Sequence, residues 1–170
     1  MRELYQLQIH LRDFPGFEDT ARKMLLAKPG AMSNWVTLCA ACYMNRNYSG
    51  VVQAVESILK FNSEPGSKTK MQEHEASEVV MMCVRALEAQ GKNQEALNFI
   101  SKNRKLIVDE VACADYQGRL YQKLGNEAAA TEHFERLLQY NSANLETYKK
   151  IITAKGVELP SDGGKLSEAY

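Results

Sequence analysis

The sequence predicts an all-α chain built as an α-α superhelix, a solenoid of about four to five helical hairpins. Three observations predict it. Apolar residues recur at spacings of three and four, the period of a helix that buries one face. Alternating β-branched runs are few, and only four prolines and ten glycines interrupt 170 residues. The pattern also repeats when the chain is slid along itself by 34 residues.

Taken in order, Leu4, Leu7 and Leu11 give the apolar face of a first helix, which stops near Phe14-Pro15-Gly16. Phe17, Ala21, Met24 and Leu25 make a second, closed by Lys28-Pro29-Gly30. Trp35, Leu38, Cys39 and Cys42 make a third; Val51, Val55, Ile58 and Leu59 a fourth, ending in Asn62-Ser63-Glu64-Pro65-Gly66-Ser67. Five more are expected at about 72–90, 93–103, 110–124, 126–140 and 144–155. Links of two to four residues pair neighbours antiparallel.

The repeat is clearest around Leu120–Leu138. Moving 34 residues back places Gly125 on Gly91, Ala130 on Ala96, Tyr121 on Leu87 and Phe134 on Ile100. A further 45 back places Leu87 on Cys42, Ala96 on Val51 and Ile100 on Val55; another 34 places Val51 on Phe17. The one departure from 34 is an excess of 11, which coincides with the polar stretch Ser63 to Glu73. A 34-residue helix–turn–helix with Gly118, Tyr121, Gly125, Ala130 and Phe134 at these places resembles the tetratricopeptide repeat. On that reading Gly118 and Ala130 let paired helices approach, Gly125 ends a helix in the left-handed conformation, and Tyr121 and Phe134 fill the layer between pairs. The array runs over 1–155, with units at about 1–31, 32–62, 77–109 and 111–143, a partial one at 145–155 and an insertion at about 63–74. Residues 156–170 are expected to be a flexible C-terminal tail.

Composition excludes several function classes. Lys plus Arg and Asp plus Glu stand at 21 each, so no global charge draws the chain to nucleic acid or acidic membrane. No apolar run is long enough to span a bilayer, and MRELYQLQIHLRDF lacks the apolar core of a signal peptide. Four cysteines without secretory context read as reduced thiols of a cytoplasmic protein. Cys39-Ala-Ala-Cys42 lies inside a helix with no preceding strand, so core packing is expected over redox or zinc chemistry. His10, His74 and His133 are dispersed, and His133, between Glu132 and Glu135, reads as solvated. No phosphate loop, dinucleotide fingerprint or nucleophile–base arrangement stands out, so no catalytic, metal or cofactor residue is assigned.

The first sixty residues carry a narrower resemblance. Gln8, Ile9, Arg12-Asp13, Gly16-Phe17, Leu25-Leu26, Pro29, Trp35 and Asn47-Tyr48 are similar to the auxiliary subunits of the N-terminal acetyltransferase A (NatA) complex. So are Ser77-Glu78, Gly91, Glu95-Ala96-Leu97, Ile107, Asp109, Ala112, Gly118 and Tyr148-Lys149-Lys150; together the likeness covers about 2–155. It implies a fragment from the N-terminal half of a longer scaffold, not an enzyme. Such subunits wrap a catalytic acetyltransferase, which itself binds acetyl-CoA, and help to place the complex at the ribosome.

Two surfaces are candidates for contact. A partner groove is expected from inward positions of each first helix, notably Tyr43, Met44, Met81, Arg85, Arg119 and Lys123. Val36 and Ala40 stand where a chaperone-tail clamp needs Lys and Asn, which disfavours that ligand. A basic docking surface for ribosomal RNA is expected from Lys68, Lys70, Lys102, Arg104 and Lys105. Alternatives are a tetratricopeptide adaptor for another assembly and an RNA-binding helical-repeat protein; groove acids Glu78, Glu88 and Asp115 oppose the latter. No membrane and no small-molecule substrate is expected as a partner.

Overall fold

The computed structural model describes residues 2–63 and 71–156, so the expected insertion core and tail lie largely outside the described residues. Among the described residues the elements are helical: α1 (Arg2–His10), α2 (Phe14–Ala27), α3 (Met32–Met44), α4 (Tyr48–Ser63), α5 (Glu73–Ala89), α6 (Asn93–Lys102), α7 (Glu110–Lys123), α8 (Glu127–Tyr140) and α9 (Leu145–Ala154). A 3-10 turn, Arg104–Leu106, follows α6. The chain divides into two compact units, Met1–Asp109 and Glu110–Tyr170. Within each unit every helix packs on the next.

In the first unit the turns obey one rule. Arg12, Arg46 and Gly91 all have positive φ, at 56°, 58° and 74°. Each follows a helix whose last carbonyls are taken in the same way: Asn47 N–H donates to Cys42 and Arg46 N–H to Tyr43, as Lys92 donates to Leu87 and Gly91 to Glu88. This is the Schellman closure, which satisfies carbonyls that a helix end would otherwise orphan. The first turn therefore breaks at Arg12, not at Pro15-Gly16. Pro15 lies in the first turn of α2, where its missing N–H costs nothing, and Gly16 N–H donates to the capping Asp13 carboxylate at 3.0 Å.

The core of this unit runs through Phe17, Ala21, Val51, Val55, Ile58, Val80, Val84, Ala96 and Ile100. Helix α1 departs from expectation. Leu4, Leu7 and Leu11 are 48%, 55% and 70% exposed, and Tyr5 instead meets Phe17, ring centroids 5.7 Å apart. The helix thus carries a second apolar edge, and it is that edge which packs. Helix α5 begins at Glu73, inside the segment assigned to the insertion, because Glu75 reaches back to accept the Gln72 N–H at 3.1 Å. Asn62, near the end of α4, accepts the Met71 N–H on its side-chain oxygen at 3.0 Å. Ser77 Oγ accepts from Val108 N–H at 3.1 Å, tying the start of α5 to the segment after the 3-10 turn.

In the second unit Gly125 takes φ 74° between α7 and α8, with the same closure onto Tyr121 and Gln122. Asn126 then caps α8 by accepting from Ala129 N–H. Gly118 lets α7 approach α8: a Cβ there would lie 2.7 Å from Cδ1 and 2.9 Å from Cζ of Phe134, so the glycine makes room for that ring of the paired helix. Phe134 also joins Ala130, Leu137, Ile151 and Ala154 in one cluster, so it serves both its own hairpin and α9.

Candidate protein interface

The surface expected to meet a partner is carried in the first unit by α3 and α5. Its position depends on a polar cluster below α3. Glu18 of α2, only 7% exposed, accepts from Asn45 Nδ2 at 2.7 Å, Asn47 Nδ2 at 2.8 Å and Arg22 at 2.6 Å. Burial works to raise this carboxyl, but hydrogen bonds from Asn45, Arg22 and Asn47 and the Arg22 charge together hold it below its ordinary value. Asn47 spends its other atom as a cap, its Oδ1 accepting Gly50 N–H at 3.1 Å. The turn that follows Met44 is thereby pinned to the preceding hairpin. Asn34 does similar work at the other end, donating to the Met24 and Lys28 carbonyls that close α2.

On this frame Met44 is 37% exposed and Val36, earlier on α3, is 36% exposed. Tyr43 turns toward its own hairpin and meets Tyr48 edge-on at 5.6 Å. Met81 corrects the expectation: it is 2% exposed and belongs to the core. Helix α5 is flanked by α4, by α6 and by the 3-10 turn, so little of its circumference is left to solvent. Arg85, one turn on, is half-buried.

In the second unit Arg119 is already engaged. Its Nε lies 3.6 Å from Asp115, and its guanidinium sits 4.3 Å above the Tyr116 ring. Asp115 also receives Lys150 from α9, an ion pair that joins the α7 face to the next helix. Lys123 is exposed at the end of α7. His133 departs from its expected solvated position: it is half-buried, stacked on Tyr121 at 5.3 Å with 14° between planes. Burial and the Arg136 charge push its pKa down, against a smaller upward pull from Glu132.

Of the basic residues, Lys102 closes α6, and Arg104 and Lys105 are exposed on the 3-10 turn. Lys68 and Lys70 lie outside the described residues. All four cysteines are buried, and burial lifts Cys39 to about 12 and Cys42 to about 11, which suppresses thiolate chemistry. Among the described residues no group of three His, Cys, Asp or Glu side chains could hold a metal, and no helix is long and apolar enough to cross a membrane. The Glu18 cluster is not signalled by composition. Its one sequence trace is register: Asp13-x-x-Gly16 and Asn47-x-x-Gly50 stand 34 residues apart.

Residues 74–170 match the family model for the auxiliary subunit of N-terminal acetyltransferase A. The chain belongs to this family. It is 28% identical to the N-terminal acetyltransferase A complex auxiliary subunit NAA15 of Arabidopsis thaliana, an alignment covering 98% of this chain and 18% of that protein. It is 26% identical to N-alpha-acetyltransferase 16, NatA auxiliary subunit, of Mus musculus, over 88% of this chain and 17% of that one. The chain thus spans less than a fifth of either NatA relative. A solved structure of Naa15/Naa10 bound to HypK-THB shares the fold, with TM-score 0.80 and 24% identity over 92% of this chain and 23% of its own.

Proposed function

We propose that this chain is a non-catalytic scaffold segment of a NatA auxiliary subunit. It supports binding of the catalytic acetyltransferase in the cytoplasm and, through the whole protein, ribosome association for co-translational N-terminal acetylation. The observation that carries this reading is the family match over 74–170, which includes α5 and α7, the helices bearing Arg85 and Lys123. Exposed residues of both units suit it. Met44 and Val36 offer apolar area in the first unit, Lys123 a cation in the second, and Lys102, Arg104 and Lys105 offer charge to phosphates.

The test is affinity purification of the full-length parent from its own cells, with its partners identified by peptide sequencing. A catalytic acetyltransferase should co-purify, and Met44→Glu with Lys123→Glu should lower its recovery. The parent freed of that partner should transfer no acetyl group to a peptide N-terminus. Recovery of an unrelated assembly without an acetyltransferase would replace this reading with that of a general tetratricopeptide adaptor.

A further inference from the structure

We draw no further inference here: the strongest candidate, the apolar trough between α4 and α6 lined by Val52, Leu59, Phe99 and Leu106, carries nothing because nothing in the structure shows what covers it.

Discussion

Asn47 donates to the buried Glu18 carboxylate at 2.8 Å, across 29 residues, and with its other side-chain atom caps α4. One asparagine thereby joins two successive hairpins and starts a helix. Glu18→Ala leaves Asn45 and Asn47, both half-buried, without their acceptor, a loss at the low end of the about 1–3 kcal/mol that a fully buried polar group left unpaired costs. Chemical denaturation should show it, with Glu18→Gln milder because its carbonyl still accepts. The carboxyl's pKa is lowered on folding, so its contribution is complete above the ordinary value of 4.5 and is lost as pH falls through the lower folded value. If Glu18→Ala unfolds at the wild-type denaturant concentration, the cluster is not a keystone.

Arg46 holds a left-handed conformation that costs an L-residue about 1–2 kcal/mol. Glycine escapes that cost but loses more chain entropy, about 0.5–1 kcal/mol. Arg46→Gly should therefore be neutral to stabilising by about 1 kcal/mol, and Gly125→Ala destabilising by a similar amount. Thermal melts of both variants check the pair; a stabilising Gly125→Ala would contradict the turn geometry.

Gly118→Ala sets two effects against each other. Helix propensity favours alanine by about 1 kcal/mol. Overpacking against Phe134 costs about 1–3 kcal/mol, because the ring is held by Ala130, Leu137 and Ile151 and cannot swing away cheaply. The net should be destabilising, and Phe134→Leu combined with it should recover part of the loss. A Gly118→Ala protein that melts above the wild type would mean the ring yields.

These cases mark what was legible in the sequence. Gly91 and Gly125 announce their turns because glycine is the cheap residue at positive φ, and the 34-residue register follows from them. Arg12 and Arg46 sit in the same conformation unannounced, since arginine carries no compositional mark of it. Leu4, Leu7 and Leu11 mislead because Tyr5 and Ile9 form a competing edge on the same short helix. Met81 and Arg85 share a helical face by spacing, yet only packing on several sides of α5 reveals that the first is interior. Partners 27 to 35 residues apart, such as Asn45 with Glu18 or Lys150 with Asp115, have no local signal at all.

Cys39 and Cys42, raised to about 12 and about 11 by burial, should react with Ellman's reagent at pH 8 only as fast as the protein opens. Adding urea to the unfolding midpoint should accelerate labelling by orders of magnitude. Prompt labelling of both thiols in native buffer would contradict their burial.

His133 has its pKa lowered by burial and by Arg136, so the folded state favours the neutral ring. The unfolded chain then binds the proton more readily. Stability is full above the ordinary value of 6.5 and declines as pH falls below it toward the lower folded value. His133→Phe keeps an aromatic face for Tyr121 and should flatten the melting temperature between pH 7 and pH 5.5. An unchanged slope would assign that pH dependence to other groups.

The hydrogen bond from Met71 N–H to Asn62 brings the chain back to the point it left, whatever lies between. Loop-closure entropy grows only logarithmically with length, so residues added there cost little once both ends are held. For the experimenter that is a port: an affinity handle or fluorophore spliced between Asn62 and Met71 should leave the ruler of hairpins on either side still counting in step.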